Sequence, residues 1–170
     1  MANQASPRLD DPRRLAELSR FTAAVLSAQS GLPDIIEATR YAFRADLAAL
    51  SYVGPETTCF GAGEDFAETT VPTRLAFCRR VVESGEPFIA KNLSVHPEFS
   101  KNLYVMKPPY IRFYAGVPVR SASGFVLGSY SVLSHEPSFR FEAEDLAALQ
   151  RFASIALGMT SLQAELRDAA

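Results

Sequence analysis

The residues best placed to do chemistry in this chain are an alternating run, Arg112, Tyr114 and Gly116, and a second pair in step with it, Ser129 and Ser131. Successive side chains of a strand point to opposite faces, so Arg112, Tyr114, Gly116, Pro118 and Arg120 share one face, and Ile111, Phe113, Ala115, Val117 and Val119 share the other. A guanidinium on a central strand needs a partner. Two kinds fit: a carboxylate or phosphate of a bound molecule held by the planar fork, or an internal ion pair with Glu98, Asp65 or Glu68 that pins a loop to the sheet. Tyr114 and Gly116 beside it offer an aromatic wall and a gap where backbone can approach a small molecule; read more plainly, Tyr114 is core with its hydroxyl satisfied by a loop carbonyl. Ser129 and Ser131 supply hydroxyls to the same side, and both need hydrogen-bond partners if buried.

The remaining reactive groups are sparse. Cys78 falls on the apolar side of an expected helix, where a thiol acts as a small hydrophobe; paired with Cys59 it would give a thiol-based reductase. His96, beside Pro97, and His135, beside Glu136, sit in polar loops and read as solvated. Two cysteines and two histidines allow a mixed metal site by arithmetic alone, with no ligand spacing to support one. No Ser/His/Asp or Cys/His grouping has a nucleophile context, and no Gly-rich phosphate loop follows a strand, so neither catalysis nor a metal is expected.

The composition sets the frame for these groups. The chain has 170 residues, 48% of them hydrophobic and 21% charged, which is enough apolar material for one domain with a core and too much for disorder. A net charge of −2 leaves no basic field for a nucleic-acid backbone. Two cysteines are too few for a disulfide scaffold, the N-terminal stretch lacks an apolar signal core, and no run of about 18 apolar residues spans a membrane; a cytoplasmic protein is expected.

The elements that must position the candidate residues follow from period and punctuation. Residues 1–10 read as a flexible lead-in, and Asp11-Pro12 starts a helix whose stripe, Leu15, Leu18, Thr22, Val25 and Gln29, widened by Phe21 and Leu26, stops at Ser30-Gly31. Leu32, Ile35, Ile36, Thr39, Ala42 and Phe43 make a second helix. A buried strand spans 46–53, with a hairpin partner at 58–61 before the Gly61-Ala62-Gly63 break. Thr73 is expected to cap a helix carrying Leu75, Cys78, Val81 and Val82 to Gly85, followed by a short strand at 87–90. Lys91 to Pro109 has no sustained period, as a functional loop or lid would. Strands at 111–119 and 125–133 form a hairpin, and a helix of about 25 residues begins near Glu142. On it Phe152, Ile155, Met159, Leu162 and Leu166 step by three and four residues, the spacing of a seam between two copies of the chain; read more plainly, Leu146 to Ile155 packs on the domain's own sheet, and Met159 to Leu166 fits either partner.

The segments FCRRVVESGEPFIAKNL, HPEFSKNLYV, PPYIRFYAGVPV, GFVLGSYSVLS and EDLAALQRFASIA resemble the GAF domains of bacterial sensor proteins, with a similarity reaching from about residue 20 to 160. The resemblance implies an α+β, PAS-related fold: a central antiparallel sheet of six strands, N- and C-terminal helices on one face, and a pocket on the other covered by the long loop and the middle helix. It implies a regulatory domain at 11–160, with 161–170 starting a helical connector toward an output domain such as a histidine kinase or cyclase of a two-component or related system. No stop signal follows Leu162, which fits a piece of a longer protein. The expected ligand-facing set is Arg112, Tyr114, Gly116, Ser129, Ser131, Cys78, Phe99 and Tyr104, and the expected partners are an unidentified small molecule and a second copy of the chain.

Departures from the better defined members narrow the ligand without naming it. Cys78 is followed by Arg79 and Cys59 by Phe60, not by the histidine common after a bilin-bearing cysteine, so no covalent bilin is expected. The cysteine set of sulfoxide-reducing members is absent, and Phe99-Ser100-Lys101-Asn102 does not reproduce the cyclic-nucleotide motif. The alternatives are a thiol-based reductase of the methionine sulfoxide type using Cys78 and Cys59, and a domain whose pocket is filled by its own side chains and serves only dimerisation.

Overall fold

The computed structural model describes residues 9–25, 31–62 and 70–170. Most of the expected lead-in, Leu26, Gln29 and Ser30 of the first stripe, Gly63 of the expected break, and the proposed Arg112 partners Asp65 and Glu68 lie outside the described residues.

Two helices open the chain, α1 (Pro12–Val25) and α2 (Leu32–Phe43). Asp11 caps the first as expected, its carboxylate accepting from the Arg13 and Arg14 amides at 2.9 and 3.4 Å. Gly31, at φ 61°, makes the left-handed entry to the second. The sheet is built from β1 (Leu47–Val53), β2 (Thr57–Ala62), β3 (Thr70–Pro72), β4 (Phe88–Ala90), β5 (Phe113–Arg120) and β6 (Val126–Ser134). Its six strands lie in the order β3-β2-β1-β6-β5-β4, every neighbouring pair antiparallel. Short helices α3 (Arg79–Ser84) and α4 (Leu103–Met106) cover one face, and α5 (Ala143–Asp168) packs with α1 and α2 on the other. This is the α+β architecture expected from the sequence.

Alternation along the strands separates two cores. Leu50, Tyr52, Phe113, Ala115, Val117, Tyr130 and Val132 face the helices, against Leu18, Phe21, Ile36 and Leu149. Leu47, Val53, Tyr114 and Leu133 face the opposite cover, with Phe77, Val81, Leu93 and Phe99. One irregularity breaks the alternation: Val119 pairs with Gly128 but Arg120 with Val126, so Leu127 is an extra residue and turns into the helix-side core. Gly128 lies against β1 so closely that a Cβ there would overlap the Ser51 carbonyl oxygen.

Five expectations are corrected. Thr73 does not cap a long helix; its hydroxyl donates to the Gly54 carbonyl at 2.8 Å and pairs with Thr58 at 3.0 Å, leaving a 3-10 turn at Thr73–Leu75 and a separate α3. Cys78 therefore precedes α3 instead of lying inside a helix. The strand β3 was not expected from the sequence, and the segment 91–109 holds a 3-10 turn at Leu93–Val95 and the short α4. Ile111 comes before β5 begins and joins the cover-side core, not the face of Phe113.

The last helix starts with a capping box between Glu142 and Asp145 and runs 26 residues, about 39 Å at 1.5 Å per residue. Its buried face consists of Leu149, Ala153, Ala156, Thr160 and Ala164, small residues after the first. Arg20 of α1 bonds to Asp168 at 2.5 Å, and Gly31, at the entry to α2, lies against the Met159 methyl, so both opening helices are joined to the second half of α5. Among the described residues no helix is long and apolar enough to cross a membrane.

Arg14 was not singled out by the sequence, yet it is fully buried. Its guanidinium donates to the carbonyls of Val126 at 2.8 Å, Val53 at 2.5 Å, Leu127 at 3.2 Å and Leu9 at 3.2 Å, closing α1 onto the adjoining ends of β1 and β6. Desolvation depresses its pKa to about 10, with Asp11 opposing, so it is still charged at neutral pH. Replacing Arg14 with Leu leaves those carbonyls without donors in a buried place. Arg14→Leu is expected to lower the unfolding free energy by about 3 kcal/mol in urea titration; a loss below about 1 kcal/mol would mean that the guanidinium is not holding the layers together.

Candidate functional site

Between the sheet and its cover lies a cavity of about 650 Å³. Leu47, Ser131, Tyr114 and Leu133 form its floor, because they alternate away from the helix side on three adjacent central strands. Phe60 and Val71, from β2 and β3, make one side wall. The roof comes in two pieces: residues Leu75 to Cys78 ahead of α3, and Tyr104, Pro108, Pro109 and Ile111 from the long segment. Asp46 and His135 complete the lining where β1 begins and β6 ends.

Short-range bonds fix this roof. The Asn102 side-chain amide donates to the Leu75 carbonyl at 2.9 Å, and Arg79 bonds Glu98 at 2.7 Å, so the two pieces are tied to each other. His96, expected to be solvated, accepts the Glu98 amide at its Nδ1 at 3.2 Å and packs against Phe88 and Phe99. The Asp46 carboxylate accepts from the Ser134 hydroxyl and the His135 amide, both at 2.8 Å, which fixes the carboxylate beside the imidazole-bearing turn.

The cavity brings together four of the eight expected ligand-facing residues: Tyr114, Ser131, Cys78 and Tyr104. The other four sit elsewhere. Arg112 turns away from the cavity wall and donates to the carbonyls of Val105 at 2.8 Å and Ile111 at 3.2 Å, with its cation 5.9 Å from the Tyr110 ring centroid. It pins the long segment to the sheet, as one of the two sequence readings required, but through carbonyls and not carboxylates. Glu98, offered as its partner, is engaged by Arg79. At Gly116 the gap is occupied by the protein itself, since a Cβ there would overlap the Tyr114 and Ser129 hydroxyls. Ser129 bonds Tyr114 at 3.1 Å behind the floor, and Phe99 packs edge-on behind Phe77 at 5.4 Å. Asp46 and His135 were missed. The register that pairs Leu47 with Leu133 places them side by side, a relation visible only once β1 and β6 are known to be neighbours.

Protonation follows burial. Desolvation pushes the Cys78 thiol up to about 11, against a small opposing effect of the Ser51 hydroxyl, and it raises Tyr114 well above the usual phenol range. Both groups are neutral at pH 7, so the inner surface presents hydroxyls, a thiol and rings. Cys59 pairs with Tyr52 across β1 and β2 and so points to the helix face, whereas Cys78 lies over the opposite face beside Ser51. The sheet separates the two thiols. Among the described residues no group of three or more His, Cys, Asp or Glu is arranged to hold a metal ion.

Comparison with known proteins agrees with this geometry. The family model described as GAF domain matches residues 13–156. A cyclic di-GMP phosphodiesterase of Pseudomonas aeruginosa is 30% identical over 150 residues, 87% of this chain and 25% of that protein, so the chain spans about a quarter of its relative's length. Among solved structures, a free methionine-R-sulfoxide reductase from Neisseria meningitidis in complex with its substrate superposes with a TM-score of 0.64 at 17% identity, covering 92% of each chain. The GAF domain of an Acinetobacter phosphoenolpyruvate-protein phosphotransferase gives 0.61 at 16% identity, covering 93% of this chain and 99% of that one. At such identities these two likenesses concern the fold.

The thiol environment yields a pH prediction. An unfolded cysteine ionises near 9 and Cys78 in the fold near 11, so between those values the folded state keeps a proton that the unfolded state has lost, and stability falls as pH rises. Wild type should lose about 2–3 kcal/mol more than Cys78→Ala between pH 8.5 and 11 in urea titrations. In native protein at pH 8, Cys59 should react first with a disulfide reagent and Cys78 only on unfolding. Equal rates would show the cover to be open.

Proposed function

The chain belongs to the GAF domain family, and from that premise we propose that it is a regulatory input module that holds a small molecule in the 650 Å³ cavity and reports its presence through α5 to a second copy of the chain. The observation that carries this reading is a cavity walled by side chains from five strands and the cover, with its roof in two tied pieces. A ligand shifts such a structure only if it binds two arrangements with different affinity, and a roof that must settle around the molecule supplies that difference.

The route to α5 runs through β6, where Ser131 lines the cavity and its neighbours Tyr130 and Val132 pack among the helices. The seam expected on α5 divides in two. Phe152 packs against Phe43 at 5.9 Å and Met159 lies on Gly31, so both serve the domain's own packing. Ile155, Leu162 and Leu166 are 52%, 58% and 58% exposed and spaced seven and four residues apart, an apolar line suited to the same line on another copy. On this reading the unit does no chemistry of its own, since Cys59 and Cys78 lie on opposite faces of the sheet. It acts alongside a separate output unit, as its one-quarter coverage of the phosphodiesterase relative suggests for that protein.

Sedimentation and native mass spectrometry test both halves. Wild type should be a dimer at tens of micromolar, and the double variant Ile155→Glu, Leu162→Glu should be monomeric with an unchanged melting temperature within about 3 °C. A monomeric wild type at high concentration overturns the relay. A protein that neither carries a bound mass nor gains thermal stability from any added small molecule is a spacer whose cavity is idle.

A further inference from the structure

We propose that the cavity selects an uncharged, planar aromatic or heteroaromatic molecule bearing one N–H or O–H donor, and that it rejects anions, cyclic dinucleotides included. This rests on the ligand-binding reading above and gives that ligand a chemical class.

The charge inventory is the first support. Among the described lining residues no Lys or Arg occurs, and the one carboxylate is Asp46, beside His135. Of the cations near it, Arg112 is bonded to the Val105 carbonyl and Arg79 to Glu83 and Glu98, while Arg74 and Lys107, next in sequence to the lining residues Leu75 and Pro108, are exposed and do not line the cavity. An anion entering this cavity gives up its water for mostly apolar walls and meets no Lys or Arg among the described lining residues, with a carboxylate already present. A phosphodiester is the poorest guest of all, because each phosphate carries a permanent charge.

The walls and floor give the rest of the specification. Phe60, Phe77, Tyr104 and Tyr114 offer ring faces and edges around a mostly apolar space, the setting in which a flat molecule gains most from burial. At the floor the Ser131 hydroxyl donates to the Ala49 carbonyl at 3.4 Å and also meets the Tyr114 hydroxyl, and of its two lone pairs one is left to accept a hydrogen bond. Tyr114 shares its hydroxyl with Ser129 at 3.1 Å. The complementary group on the guest is thus a donor, and its placement against Ser131 orients the ring.

The chain contains no tryptophan, so an added indole excited beyond the tyrosine absorption band reports binding by its own fluorescence. Indole, tryptamine and indole-3-carboxylate share one ring and differ in charge; titrated at pH 7 alongside cyclic di-GMP by calorimetry, they separate the possibilities. The expected order is indole tightest, with a saturable blue shift, indole-3-carboxylate at least about tenfold weaker, and no heat from cyclic di-GMP. Ala76→Phe, which fills the roof, should abolish the indole signal, and Ser131→Ala should weaken 2-naphthol about fivefold while leaving naphthalene unchanged, a contrast that general loss of folding cannot produce. Tighter binding of the carboxylate, of cyclic di-GMP or of tryptamine than of indole overturns the uncharged class and leaves a ligand site standing. Binding unaffected by Ala76→Phe places the indole outside the cavity and overturns the proposal. Silence from the whole series, charged and uncharged alike, removes the ligand-binding reading itself.

Discussion

Strand β6 is buried along its whole length and on both faces, and this double coverage determines where everything else must go. A strand wetted on one side can slip by two residues at modest cost, but one packed on both sides must present two different sets of side chains to two different cores. Here a one-residue slip would drive Ser129 and Ser131 among the helices and push Tyr130 and Val132 into the cavity. Gly128 guards against that slip, because only a residue without Cβ can sit against the Ser51 carbonyl. The cavity's polar floor is therefore a by-product of sheet register, fixed before any loop is closed over it.

The cover works by a different principle. It has little regular structure, and its order comes from side chains that reach for backbone: Asn102 to Leu75, Arg112 to Val105, Thr73 to Gly54. Such bonds are individually modest, yet each satisfies a carbonyl that no strand or helix would otherwise reach. Arg14 does the same for the ends of β1 and β6 on the far side of the sheet. Three arginine or amide side chains thus substitute for secondary structure at the places where the sheet hands over to something irregular.

Periodic elements were legible in the sequence and contextual ones were not. The stripe of α1 and the alternation of β5 repeat often enough to reveal which side is buried, whereas the three-four stripe on α5 divides between the domain's own packing and solvent, and the segments that resemble a known family carried the architecture. The three-residue β3 is too short to show a period, and Leu127 breaks the alternation with one bulge that nothing local announces. Ile111 looked like part of the β5 pattern because apolar spacing continues one step past the strand's true start. Arg112 read as an ion because guanidinium suggests carboxylate, whereas the available acceptors were carbonyls. Arg14 escaped notice because a charged residue in a first helical turn is ordinarily solvated. Of the candidate site, the floor residues followed from strand parity, while Asp46 and His135 required a strand pairing between segments more than eighty residues apart.

The buried face of α5 beyond Phe152 consists of Ala153, Ala156, Thr160 and Ala164. In mechanical terms this is a smooth bearing. A helix seated by large side chains is keyed like a ratchet and must jump a whole turn to move, but one seated on methyl groups meets no tooth as it rotates by a few degrees or slides by a fraction of an ångström. Larger contacts fix it at the margins: the Phe43–Phe152 edge contact, Met159 on Gly31 and Leu157 against the core, with an exposed ion pair from Arg20 to Asp168 near its end. The long helix thus rests on a strip of small side chains and is fixed at the margins of that strip by a few larger ones.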